Sequence, residues 1–153
     1  MESIYWKIKN NLEKYQIRNV KILLALSGGV DSVVLLHLLK DIKKDFALEI
    51  SASYINHNLR GIESLKEEQF VKELTDNLNI RLFTRIIDKV YWKDYGERSI
   101  ENEARKIRYD FFNKIMRENN LNFIFTAHHF DDRIETFFLK LFRGSGFETL
   151  KSI

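Results

Sequence analysis

The sequence predicts an α/β fold in which a mainly parallel sheet carries helices on both faces. Two observations support this prediction. Short apolar runs of strand length alternate along the chain with longer runs whose apolar residues recur at helical spacing. Three polar segments, residues 27–32, 56–61 and 128–135, each follow a predicted strand. Binding sites in parallel α/β sheets lie beyond the carboxyl ends of the strands, so these segments are expected to share one edge.

The apolar pattern places the elements in order. The predicted strands are residues 20–26, 48–55, 81–87 and 123–127. The predicted helices are residues 4–15, 33–43, 64–78, 100–119 and 131–142. Ser64 and Glu67 have the spacing of a capping box at the start of the third helix. No linker, repeat or low-complexity tract interrupts the pattern, so we expect one domain over residues 1–153.

Composition narrows the class of protein. The chain has 153 residues, of which 44% are hydrophobic and 31% charged, as in a soluble globular domain. It has no cysteine, which excludes disulfides and thiolate sites within these residues. No apolar run approaches the roughly 20 residues of a membrane span, and the start lacks the apolar core of a signal peptide. We therefore expect a cytoplasmic protein without membrane contact, and the net charge of +3 permits nucleic-acid binding without establishing it.

The turn after the first strand predicts a phosphate site. Its residues are Ser27, Gly28, Gly29, Val30, Asp31 and Ser32. Adjacent glycines let the backbone approach a ligand closely, and the amides that open a helix attract anions. Asp31 stands where a Walker loop has lysine, so a cation, Mg²⁺, is expected between this carboxylate and the phosphates. The alternative is a serine–glycine turn in which Asp31 caps the helix.

A second cluster follows the fourth predicted strand. On a helix, His128, Asp132 and Glu135 share one face, because positions i, i+4 and i+7 align. Such a group would bind a metal ion or hold an ammonium group. One alternative is a solvated acidic first turn that complements the helix dipole. A hydrolytic zinc site is another.

Two weaker features carry positive charge or an imidazole. Arg105 and Arg108 lie three residues apart on one side of a predicted helix, where guanidinium groups would bind phosphate. The alternative is a basic stripe paired with Glu101 and Glu103. His57, in the segment after the second strand, is either a catalytic residue or an ordinary loop histidine.

Four motifs in chain order resemble those of the tRNA(Ile)-lysidine synthetases, members of the PP-loop ATP pyrophosphatase superfamily. They are S-G-G-x-D-S at residues 27–32, N-H-x-L-R-G at 56–61, A-R-x-x-R-Y at 104–109, and T-A-H-H-x-D-D-x-x-E-T at 126–136 followed by R-G-S-G at 143–146. Arg133 stands where the family commonly has glutamine. The resemblance implies an adenine nucleotide alpha hydrolase-like, PP-loop fold. Family members continue well beyond residue 153, so we expect a chain truncated at its C-terminal end.

The resemblance also implies a function. Members of the family use ATP to adenylate the C2 carbonyl oxygen of the wobble cytidine in the anticodon of tRNA(Ile), releasing pyrophosphate. Free L-lysine then displaces AMP and forms lysidine. Carried over to this chain, residues 27–32 would bind ATP, and Asp31 would also hold Mg²⁺. Asp31, Arg108, His128 and Asp132 would be catalytic, with support from Arg105, His57 and Glu135.

Two other functions stay open at this point. One is a different PP-loop ligase with another acceptor, and the other is a non-catalytic nucleotide-binding protein. A tRNA thiolase is disfavoured because those enzymes usually employ cysteines. We expect these 153 residues alone to bind ATP and to modify tRNA poorly.

Overall fold

The computed structural model describes residues 4–127, which form four helices, four strands and one short 3₁₀ helix. The helices are α1 (Ile4–Lys14), α2 (Val30–Ile42), α3 (Ile62–Asn77) and α4 (Glu97–Glu118). The strands are β1 (Lys21–Ala25), β2 (Glu49–Asn56), β3 (Arg81–Ile86) and β4 (Phe123–Thr126), and the 3₁₀ helix is Lys89–Trp92. The predicted helix over residues 131–142 lies outside the described residues, as does the last part of the predicted domain.

All four strands are parallel and lie in the order β3-β2-β1-β4. Leu24 at the centre of β1 stands opposite Ala52 on one side and Phe125 on the other. The chain leaves β1 toward β2 and β3 and then crosses back to place β4 on the other side of β1. This reversal opens a crevice at the carboxyl ends of β1 and β4, where ligands bind in folds of this kind.

Helices cover both faces of the sheet, as predicted. On one face, Leu24 packs in a buried cluster with residues of α1, α2 and α3, including Leu12, Leu36 and Val71. On the other face, Leu23 packs against Phe112 and Ile115 of α4. Successive residues of β1 point to opposite sides of the sheet, which is why one strand serves both clusters.

Two predicted helix starts differ from the structure. Helix α2 begins at Val30 with Gly29 as its N-cap, so Asp31 lies in the first turn rather than at the cap. Helix α3 begins at Ile62, so the capping box predicted from Ser64 is wrong. Gly61 has a φ of 56°, which turns the chain into α3 two residues earlier than predicted. The Ser64 hydroxyl instead accepts a hydrogen bond from the Arg60 amide at 3.2 Å.

Candidate functional site

Residues 27–32, here called the phosphate loop, comprise the end of the turn after β1 and the first residues of α2. The hydroxyl groups of Ser27 and Ser32 lie 3.1 Å apart. Ser32 donates to the Gly29 carbonyl at 2.8 Å and accepts from the Ser27 amide at 3.2 Å. Gly29 donates its amide to the Ser27 hydroxyl at 3.3 Å. These bonds shape the loop before any ligand binds.

Gly28 adopts a backbone conformation that is unfavourable for residues with a Cβ atom. Its φ of +81° lies in the left-handed region, which favours glycine. A Cβ at this position would come within 2.7 Å of the Cγ of Glu67 on α3. The first of the two adjacent glycines is therefore required both by backbone conformation and by close packing.

A cleft of about 540 Å³ lies at the carboxyl edge of the sheet. Its walls come from the ends of β1, β2 and β4 together with α3 and α4, and they include Ser27, Asn56, His57, Glu67, Arg108 and Thr126. Its volume falls within the range of small-molecule sites. Residues 27–32 and 56–61, which the sequence analysis singled out separately, thus contribute to one cleft.

Asn56, at the end of β2, shapes one wall of the cleft. It is 2% exposed, and its side chain accepts from the Asn58 amide at 2.7 Å. Its amide nitrogen donates to Glu68 at 2.7 Å. Lys72 binds the other oxygen of Glu68 at 2.6 Å. These two partners, Lys72 first, hold the pKa of the Glu68 carboxyl below its ordinary value. Sequence reasoning did not identify this network. The feature of the sequence that could have indicated it is the asparagine at the end of a buried strand.

His57 lies in the cleft and is half-buried. Its Nδ1 atom is buried without a hydrogen-bond partner among the described residues. Burial lowers the pKa of His57, and the positive charges of Arg108 and Arg85 lower it further. The imidazole therefore binds a proton less readily than the side chain of an exposed histidine. The structure places His57 in the cleft lining, and its supporting role stays a prediction.

The two arginines of α4 occupy different environments. Arg108 is half-buried and lines the cleft. Arg105 is exposed and lies outside the cleft lining, with its guanidinium carbon 5.7 Å from the centre of the Tyr109 ring. Glu103, a proposed partner of a basic stripe, accepts a hydrogen bond from Tyr91 at 2.7 Å. Arg108 thus lines the cleft and Arg105 does not, and phosphate contact by either arginine stays a prediction.

Glu67 is a cleft residue that sequence reasoning used only for the capping box. The buried Tyr54 hydroxyl donates to its Oε1 atom at 3.0 Å. Burial and this hydrogen bond to Glu67 both raise the pKa of Tyr54. The tyrosine therefore stays protonated as the donor and Glu67 acts as the acceptor. No motif spacing in the sequence pointed to this pair, since it joins β2 to α3.

Oxygen ligands for Mg²⁺ are present at the phosphate loop. Mg²⁺ is commonly bound by one or two carboxylates together with substrate phosphates. Asp31, half-buried in the first turn of α2, supplies a carboxylate at the end of the loop. Residues 4–127 contain no group of three or more His, Asp or Glu side chains that could hold a metal ion by themselves. A single carboxylate fits a metal ion whose other ligands come from a bound phosphate, and the Mg²⁺ role of Asp31 stays a prediction.

The predicted residues His128, Asp132 and Glu135 lie outside the described residues. Thr126 and Ala127, which precede them, line the cleft. The roles of His128, Asp132 and Glu135 stay predictions.

None of the helices in the described part of the chain is long and apolar enough to cross a bilayer.

A profile of the PP-loop domain family matches residues 2–153. The chain belongs to the PP-loop domain family. The fold agrees with this assignment. The PP-loop structure of the U34-tRNA thiolase NcsA from Methanococcus maripaludis superposes with a TM-score of 0.65 at 19% identity, covering 82% of this chain and 44% of that one. At that identity the likeness shows the fold alone.

The PP-loop chain is also similar to proteins named tRNA(Ile)-lysidine synthase. The protein from Clostridioides difficile is 38% identical over 98% of this chain and 33% of its own length. The protein from Clostridium perfringens is 41% identical over 87% of this chain and 28% of its own length. The protein from Petrotoga mobilis is 37% identical over 92% of this chain and 45% of its own length. The chain thus spans about a third of the length of such relatives.

Proposed function

We propose that this chain is the ATP-binding PP-loop region of a ligase that attaches free L-lysine to the wobble cytidine of tRNA(Ile), forming lysidine. One observation carries the proposal. The motifs shared with the lysidine synthetases at residues 27–32, 56–61 and 104–109 contribute residues to a single cleft at the carboxyl edge of the sheet. Relatives of that name are 38% and 41% identical across most of this chain.

The phosphate loop suits the first step, adenylation. In that step the C2 carbonyl oxygen of cytidine attacks the α-phosphorus of ATP, and pyrophosphate leaves. The helix-opening amides of α2 and the hydroxyls of Ser27 and Ser32 would bind the phosphates. Arg108 would bind phosphate oxygens through its guanidinium group and offset negative charge that develops on the leaving group. Mg²⁺ held by Asp31 would supply further charge neutralisation.

The second step needs an amine in its neutral form. The ε-amine of lysine attacks C2 of the adenylated base, and AMP leaves with the former carbonyl oxygen. His128 and Asp132 would orient the lysine ammonium and accept its proton, with Glu135 in support. Arg105 and His57 would have supporting roles. Of these two, His57 is the one that lines the cleft.

The partners follow from this chemistry. The anticodon region of tRNA(Ile) would present its wobble cytidine unstacked at the cleft, as recognition of single-stranded RNA requires. The cofactors would be ATP and Mg²⁺, and we propose that the protein acts in the cytoplasm. A different PP-loop ligase and a non-catalytic nucleotide-binding protein are the competing functions, and the same assay separates all three.

That assay is ATP–pyrophosphate exchange by the whole protein of which we propose this chain is a region, because these 153 residues alone are expected to modify tRNA poorly. It is measured with Mg²⁺ and with or without a tRNA(Ile) transcript. The proposal predicts exchange that depends on this transcript and is lost when its wobble cytidine is replaced by uridine. Exchange at the same rate without tRNA would indicate another ligase. ATP binding with no exchange under any condition would indicate a nucleotide-binding protein.

A further inference from the structure

One carboxylate in the cleft has no part in the mechanism described above. Glu67 is half-buried on α3 and lines the cleft together with Ser27 and Gly29. A Cβ on Gly28 would lie 2.7 Å from its Cγ and 3.1 Å from its Cδ. The side chain of Glu67 therefore packs directly against the phosphate loop, and it brings its charge to the place where phosphates would bind.

The position of this carboxylate is fixed by a neighbour. Tyr54, which is 2% exposed, donates to its Oε1 atom at 3.0 Å. The ion pairs formed within residues 4–127 do not include Glu67, whereas the adjacent Glu68 is paired with Lys72 at 2.6 Å. Tyr54 thus holds the Glu67 carboxylate beside the phosphate loop, and no cation of the described residues forms an ion pair with it.

We propose that Glu67 makes the cleft selective for ATP complexed with Mg²⁺. Its charge would repel the uncomplexed triphosphate, which carries three to four negative charges, and would tolerate the complex, in which the metal offsets two of them. The inference rests on the proposed binding of ATP by the phosphate loop. Asp31 would bind the metal at the end of that loop, whereas Glu67 would lower the affinity of the cleft for ATP without Mg²⁺.

The experiment uses two neutral variants. Glu67→Gln keeps the length of the side chain and an oxygen that accepts from Tyr54, and Glu67→Met keeps the length without any polar atom. ATP dissociation constants are measured in EDTA and in saturating Mg²⁺. Both variants are expected to bind metal-free ATP about three- to tenfold more tightly than the parent. Their affinity for the Mg²⁺ complex should change by less than about twofold. Glu73→Gln, exposed on the same helix, is the matched control.

Each other result overturns the inference. A parallel change in both dissociation constants would show that Glu67 only supports the loop. A loss confined to the Mg²⁺ complex would show that it is a metal ligand. If the parent binds ATP and both variants have the same two dissociation constants as the parent, the inference about Glu67 is wrong and the proposed function is unaffected. If the parent binds no ATP in either condition, the proposed function fails as well. Thermal unfolding of each variant checks that the fold is retained.

Discussion

The indole nitrogen of Trp92 donates a hydrogen bond to the backbone carbonyl of His57 at 2.7 Å, and the two rings lie 5.9 Å apart. This contact joins the 3₁₀ helix Lys89–Trp92 to the segment that follows β2. It fixes the backbone of His57, a residue that lines the cleft. The position of the imidazole is thus set by a residue 35 positions away, in an element that the sequence did not predict.

The pH dependence of stability tests the environment of His57. Burial and the charges of Arg108 and Arg85 lower its folded-state pKa below the ordinary value of 6.5. The unfolded chain therefore binds a proton at higher pH than the folded chain. The resulting stability is complete above the unfolded pKa and is lost as pH falls through the interval down to the folded pKa.

We expect the free energy of unfolding of the parent to fall as pH decreases from about 7 to about 5, and His57→Gln to flatten this slope. Urea unfolding at a series of pH values measures it. His37→Gln, which removes an exposed imidazole on α2, is the matched control. Equal slopes for the parent and His57→Gln would contradict the assignment.

The two arginines of α4 should respond differently to the same substitution. Arg108→Lys keeps the charge and loses the bidentate guanidinium contact, so ATP affinity is expected to fall about fivefold or more. Arg105→Lys should change it less than about twofold, because Arg105 lies outside the cleft lining. Equilibrium ATP binding in Mg²⁺ measures both. Parent-like affinity in the two variants would mean that both arginines are solvated surface residues.

Gly28→Ala should impair ATP binding more than any other alanine substitution of a glycine in the described chain. The alanine would have to adopt a φ of +81°, and its Cβ would lie 2.7 Å from the Cγ of Glu67. The backbone conformation alone costs about 1–2 kcal/mol. Gly96→Ala is the control, since Gly96 has φ −75° and no atom within 4 Å of the added Cβ. ATP titration and thermal unfolding are measured together. Unchanged ATP affinity in Gly28→Ala would contradict the loop geometry.

Asn56→Ala should lower the free energy of unfolding by about 2–3 kcal/mol, because it leaves the buried Glu68 carboxylate with one partner fewer. It also removes the acceptor of the Asn58 amide. Urea unfolding at neutral pH measures the loss. Asn77→Ala, at the exposed last residue of α3, controls for removal of an asparagine from the same region. A loss no larger than that of the control would show that the network contributes little.

The parallel sheet and the shared edge of residues 27–32 and 56–61 could be predicted because apolar periodicity and turn chemistry are local signals. The third predicted segment of that edge, residues 128–135, lies outside the described residues. The turn between β1 and α2 could be predicted for the same reason, since its glycines and serines are contiguous, and phosphate binding there stays a prediction. Contacts between distant elements could not. Tyr54 meets Glu67, and Trp92 meets His57, only after α3 and the 3₁₀ helix have packed on the sheet. The start of α3 was mispredicted because Gly61 adopts a positive φ, which overrides the capping spacing of Ser64.

The central claim is that residues 27–32 bind ATP with a metal ion positioned by Asp31. Equilibrium ATP binding across a Mg²⁺ titration, for the parent and for Asp31→Asn, tests it most directly. Asp41→Asn, exposed in the last turn of the same helix, provides the control. The parent should bind ATP more tightly as Mg²⁺ is added. Asp31→Asn should lose about tenfold in affinity for the Mg²⁺ complex and should not lose affinity for metal-free ATP, because removing the carboxylate removes repulsion between it and the uncomplexed phosphates. Equal ATP affinities for parent and Asp31→Asn at every Mg²⁺ concentration would contradict the claim.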